Sequence, residues 1–190
     1  VVLLNPHYYV TTQQATGGHL NANGYRWYSE QVAKSIFGTL CGNKNVLPVT
    51  PESFRVNGDT IYIDLHVPVK PIVVDTYTTQ EVSNYGFKVD LNGVDILDNV
   101  SIYQSSTLML KCNQDIGSAT GLSVMYAGSN SNGKGNIRDS STEYSFSTYV
   151  DDTTLDTNTP PYTPVDRNGD NYYGRRYPLF NWLSNFNIEI

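Results

Sequence analysis

Cysteine and methionine are scarce in this chain, with two of each among 190 residues. Cys41 and Cys112 are too few for a disulfide scaffold or a zinc site, so two free thiols are expected. Positive charge is also in short supply. Twelve Lys and Arg stand against eighteen Asp and Glu, for a formal net charge of −6. The cations are scattered and form no run, which argues against nucleic acid as the partner. No apolar run approaches the ~20 residues needed to cross a bilayer, so no membrane insertion is expected. Asp166, Asn168 and Asp170 have the alternate spacing of a calcium loop. Asn171 stands where that loop needs Gly, and Tyr177 where it needs a bidentate Glu. A solvated polar turn is the expectation there, with neither metal nor cofactor.

Tyrosine, in contrast, is abundant at fifteen residues. Tyr supplies contact area at little entropic cost and is common where proteins meet polar ligands or one another. The best-marked helix begins after Gly17-Gly18-His19-Leu20. Asn21 is placed to cap its first turn. Tyr25, Tyr28, Val32, Ile36 and Leu40 recur at three- and four-residue spacing and predict one apolar stripe. Gly38 and Gly42 mark the end. Upstream, Val1-Val2-Leu3-Leu4 reads as a buried strand, which would place His19 in a loop joining strand to helix, on the rim of a sheet.

After a linker at 43–50 the pattern changes to period two. Thr60 to Val67 alternates, with Ile61, Ile63, Leu65 and Val67 on one face. Asn57-Gly58 before it and Asn92-Gly93 further on are hairpin signals. Further short strands are expected at 53–56, 71–75, 85–91, 100–103, 107–111 and 122–127, together an antiparallel β-sandwich. From Gly128 the chain turns to Ser, Asn, Gly, Thr and Pro, and 142–176 reads as a long arm. An apolar, aromatic end, Tyr177 to Ile190, should be buried as a closing strand. The expected fold is mainly β with a small α/β part, divided into 1–42, a sandwich at 43–128, and an extended arm with aromatic end at 129–190.

Among the three histidines, His66 falls on the polar face of a strand and His7 follows Pro6 in a loop. His19 is the candidate for chemistry. Imidazole titrates near neutrality, so it can take a proton from a hydroxyl nucleophile and return it to a leaving group. The alternative is a loop residue that merely precedes a helix.

Asn5-Pro6-His7-Tyr8-Tyr9 and His19-Leu20-Asn21-Ala22-Asn23-Gly24-Tyr25 together resemble the C-terminal block of SGNH (GDSL-like) esterases. The resemblance implies that His19 is the general base for a Ser nucleophile. In that family an Asp normally lies three residues before the His; here Thr16 stands in its place. The family's Ser, Gly and Asn blocks are absent from these 190 residues. Further on, Asn84-Tyr85-Gly86-Phe87 and Gly135-Asn136-Ile137-Arg138-Asp139-Ser140 resemble the C-terminal half of such proteins in bacteriophage tail spikes and prophages. By that resemblance the whole protein is a carbohydrate O-acetylesterase of a virion tail appendage or, alternatively, a secreted enzyme. Its substrate is then a bacterial surface polysaccharide and its other partners are tail-appendage subunits in a homotrimer. The competing expectation is a receptor-binding or structural tail module that kept the fold and lost the site.

Overall fold

The computed structural model describes residues 3–10, 19–42, 47–150 and 173–190. Thr16 and the Asp166–Asp170 turn lie outside them. Among the described residues the fold is mainly β with one α-helix.

Alternation builds the sandwich. Strands β1 (Thr50–Asn57), β2 (Thr60–His66), β6 (Leu97–Gln104) and β7 (Thr107–Cys112) form an antiparallel sheet in the order β1-β2-β7-β6. A second sheet has the order β12-β8-β4-β5, from β4 (Phe87–Leu91), β5 (Val94–Asp95), β8 (Leu122–Tyr126) and β12 (Phe186–Glu189). Ile61, Ile63 and Leu65 of one sheet share a buried cluster with Val89, Val124 and Tyr126 of the other. Each such aliphatic side chain contributes roughly 1.5–3 kcal/mol by leaving water. Both hairpin signals hold. Asn57 pairs with Thr60 across Gly58, whose φ is +61°, as a II′ turn requires. Asn92 and Gly93, at φ +53° and +90°, make the I′ turn between β4 and β5.

Two ribbons flank the sandwich. β3 (Ile72–Val74) pairs with β9 (Ile137–Asp139), and β10 (Tyr144–Thr148) pairs with β11 (Arg176–Pro178). The 129–190 segment, expected as an extended arm with an aromatic end, therefore supplies four strands, β9 to β12, and its aromatic end does two jobs. Phe180–Leu183 is buried, while β12 runs along the edge of the second sheet with alternating exposure.

Two sequence expectations fail near the N-terminus. Leu3 and Leu4 are in coil, and Leu3 is exposed. No strand among the described residues pairs with them. The helix α1 (Ala22–Leu40) begins where Asn21 predicted, with Asn21 Oδ1 accepting from Gly24 N at 2.7 Å. Its buried face, however, is Asn23, Trp27, Gln31 and Ser35. The apolar stripe points largely outward: Tyr25, Ile36 and Leu40 are exposed, as is Phe37. Trp27 decides the orientation, because one large aromatic surface outweighs several partly covered aliphatic ones.

Both cysteines are free thiols; Cys41 is exposed, and burial pushes the Cys112 thiol up to about 11. On β2, Asp64 accepts from Arg55, Thr107 and Ser53, which together hold its carboxyl below the usual carboxylate range. A depressed pKa contributes stability above the unfolded value of about 3.9, which is lost as pH falls through the folded value. Asp64→Asn should therefore be less stable than wild type at neutral pH, with a gap that narrows from neutral to acid pH as the carboxylate is protonated. Urea midpoints at the two pH values test this. A gap independent of pH would remove Asp64 from the acid response.

Candidate functional site

His19 is exposed and lies three residues before the first residue of α1. Its neighbours fix the loop. Leu20 is buried with Tyr9, Trp27, Tyr149, Tyr177 and Trp182 in a second core of mostly aromatic residues. The first turn of the helix is then fastened to the C-terminal part of the chain. Asn23 is fully buried; its Nδ2 donates to Val150 O at 2.9 Å. Its Oδ1 accepts from Val150 N at 3.0 Å and from Tyr177 Oη at 2.8 Å. One turn on, Trp27 Nε1 donates to Pro178 O at 2.6 Å, and its ring stacks on Tyr177. Lys34 Nζ donates to Leu179 O at 2.7 Å and pairs with Glu143 at the same distance. Asn23, Trp27 and Lys34 are each matched in this way, as buried polar groups generally are, while Gln31 between them is buried with neither side-chain polar atom hydrogen-bonded. Among the described residues none hydrogen-bonds to His19, so no orienting group for its ring is seen there.

The other two histidines stand apart from this arrangement. His7 is exposed with its ring edge-on to Tyr28. His66 is half-buried on β2, its Nδ1 4.0 Å from a Glu52 carboxylate oxygen. The Asn5–Tyr9 segment acts as a clasp. Asn5 Oδ1 accepts from Trp182 N, and Tyr8 Oη donates to Leu183 O, both at 2.8 Å. Burial and the neighbouring Tyr126 push the Tyr8 hydroxyl well above the ordinary tyrosine range, so it stays protonated as that donor.

A second constellation went unseen in the sequence. Between the two ribbons lies a cleft of about 600 Å³, a size typical of small-molecule sites. Asp75, at the end of β3, forms one wall. Its side chain is 3 % exposed and Oδ2 is 2.5 Å from Arg138 Nε. Oδ1 accepts from Tyr77 N at 2.9 Å and from Thr78 N at 2.7 Å, which folds the 75–79 turn. Asn136, fully buried, braces the same turn from behind. Its Nδ2 donates to Asp75 O at 3.0 Å and to Thr79 Oγ1 at 2.9 Å, and its Oδ1 accepts from Val82 N at 3.0 Å. The Asn136-Ile137-Arg138-Asp139 run singled out in the sequence is thus a buried polar hub. Asp139, also fully buried, accepts from the backbone and side-chain amides of Asn181 at 3.1 and 2.7 Å.

Arg138 lies over the Phe180 ring at 4.0 Å, and Tyr144 meets that ring edge-on. From the other side Arg175 Nη1 donates to Tyr77 Oη at 2.9 Å. Arg176, on β11, is exposed at the rim. The Arg175-Arg176 pair was the one sequence signal available, and two adjacent cations in an acidic chain say little before the fold brings Asp75, Arg138 and the rings to them. His19 and the cleft share a foundation, because the β10–β11 ribbon that borders the cleft also carries the partners of Asn23 and Trp27.

No family model matches this chain, and no curated protein matches it in sequence. Among solved structures, a carbohydrate acetylesterase from Xanthomonas citri aligns over 90% of this chain at 8% identity and a TM-score of 0.49. The alignment covers 29% of that chain, so these 190 residues span less than a third of its length.

Proposed function

We propose that this chain is the C-terminal part of an SGNH-like carbohydrate O-acetylesterase acting on bacterial surface polysaccharide, with His19 as the general base. The observation that carries the reading is the setting of α1. His19 is exposed at its start, while the polar face of the helix is bolted to the β-body. The opposite, apolar face of Tyr25, Ile36, Phe37 and Leu40 is turned to solvent. A helix of this kind suits a place at the edge of a larger α/β domain, whose surface would cover the stripe. In that arrangement His19 takes the proton of a Ser hydroxyl as the oxygen attacks the acetyl carbonyl, then returns it to the departing sugar oxygen. The nucleophile and oxyanion donors would come from residues beyond these 190. A tail-appendage location and a homotrimer belong to the same reading and rest on the sequence resemblance.

Acetate release from an acetylated bacterial polysaccharide by the full-length protein tests it. Turnover is expected. No release from the polysaccharide or from an acetylated chromogenic ester would favour the second reading, a non-catalytic glycan-binding module. The cleft lined by arginine and aromatic side chains is the observation that favours that alternative.

A further inference from the structure

We infer that Asn57, at the turn between β1 and β2, is a site of spontaneous modification, where the side-chain amide is exchanged for a carboxylate and part of the product carries isoaspartate in its main chain. The inference is independent of the esterase reading. Asn23-Gly24, Asn57-Gly58, Asn92-Gly93 and Asn132-Gly133 are the Asn-Gly pairs among the described residues. A glycine has no Cβ to shield its backbone nitrogen, which leaves that atom open to the preceding side chain. The reaction is a ring closure. Gly58 N attacks Asn57 Cγ, the bond from Cγ to Nδ2 breaks, and ammonia leaves with the Gly58 proton. Water then opens the resulting succinimide at either carbonyl. Cleavage of the new bond leaves aspartate; cleavage of the original peptide bond leaves isoaspartate, whose main chain runs through Cγ. The sum is amide plus water giving carboxylate plus ammonium, with no oxidant or cofactor.

The attacking nitrogen sets the pairs apart. Gly24 N donates to Asn21 Oδ1 at 2.7 Å, and Asn23 is fully buried. Gly93 N donates to Asp90 Oδ1 at 2.7 Å. Gly133 N donates to Gly128 O at 2.8 Å. Gly58 N donates to none of the described residues, and Asn57 is exposed. The bonds that anchor this turn use its carbonyls instead. Gly58 O accepts from Ile116 N at 2.9 Å, and Asp59 O accepts from Cys112 N at 2.8 Å. Crowding does not discriminate, because a Cβ added at Gly58, Gly93 or Gly133 would meet nothing within 4 Å. The engaged or free N–H does.

The product bears on the sheet. Asn57, Thr60 and Lys111 lie in one row across β1, β2 and β7. Lys111 Nζ pairs with Asp59 at 2.5 Å, and a carboxylate at position 57 adds a rival for that cation. Isoaspartate inserts an extra backbone atom beside a tight turn whose length fixes the register of the hairpin, so this form loosens it.

Ageing the folded protein in water enriched in heavy oxygen, at mildly alkaline pH, followed by peptide mass spectrometry, tests the inference. The Asn57 peptide should take up label at least about threefold faster than the Asn23, Asn92 and Asn132 peptides, because their attacking nitrogens must first leave a hydrogen bond. In urea all of these peptides should label alike, since Gly follows Asn in each. Asp90→Ala frees Gly93 N and should speed labelling at Asn92 by at least about threefold, with circular dichroism unchanged. Asn57→Gln should abolish labelling at position 57, because the longer side chain closes its ring poorly. The inference is overturned if Asn92 or Asn132 labels as fast as Asn57 in the folded protein. It is overturned equally if Asn57 labels in urea but not in the folded protein, or if Asp90→Ala leaves the Asn92 rate where it was. None of these readouts involves ester hydrolysis, so the outcome here and the outcome for the esterase reading are separate.

Discussion

Replacing His19 by Ala in the full-length protein should lower ester hydrolysis by about 10³-fold or more, the range lost when a general base is removed from a serine hydrolase. A Ser hydroxyl is a poor nucleophile until its proton is taken, and imidazole is the side chain whose ordinary pKa suits that exchange near neutral pH. The effect should fall on kcat and on kcat/KM together, because proton transfer is an interaction made in the transition state and not in the bound ground state. The fold should be untouched. His19 is exposed, and the loop is held by its neighbours: Leu20 in the aromatic core, Asn21 as the helix cap, Asn23 against Val150 and Tyr177. An unchanged melting temperature beside a collapsed rate is therefore the expected pair of results. Equal rates for wild type and variant would remove His19 from the mechanism and leave it as a loop residue before a helix.

What the sequence revealed, and what it hid, follows from the range of the forces involved. Local chemistry was legible. Asn21 marked the first turn of α1 because a cap acts over three residues. Asn57-Gly58 and Asn92-Gly93 marked two hairpins because a tight turn imposes φ > 0 on the residues within it. The alternation Ile61, Ile63, Leu65 marked a half-buried strand because the strand period alone decides which side faces in. The face of α1 was misread because both sides carry candidates. The apolar stripe won by count, while the buried side is chosen by one Trp ring and by backbone acceptors 127 and 151 residues away, at Val150 and Pro178. The cleft was invisible for a related reason. Asp75, Arg138, Tyr144 and Arg175 come from four separate stretches, and nothing in any one of them announces the others. Even the Asn136-Ile137-Arg138-Asp139 run, picked out as a motif, gave no hint that it is a buried hub bracing the Asp75 turn.

That hub should carry the largest stability cost outside the apolar core. Asp75→Ala is expected to destabilise the protein by about 3–5 kcal/mol, the usual cost of leaving one partner of a buried ion pair behind. For a chain of this size that is a fall of roughly 10 °C in melting temperature. Three losses coincide. Arg138, only 16 % exposed, keeps its charge without the carboxylate 2.5 Å away. The amides of Tyr77 and Thr78 lose their acceptor, and so does the Thr78 hydroxyl. The turn they fold is one wall of the cleft. Asp75→Asn separates the contributions. An amide oxygen can still receive the Tyr77 and Thr78 amides, while the ion pair to Arg138 is gone. If the turn bonds supply most of the stability, Asn should cost well under half of what Ala costs. If the ion pair does, the two variants should be equally damaged. Urea unfolding of both variants decides between these. A loss below about 1 kcal/mol in each would mean that Arg138 is adequately held by the Phe180 ring and the Asp139 carbonyl, since a cation over an aromatic ring is worth about 0.5–2 kcal/mol, and that the Asp75 turn does not depend on its own carboxylate.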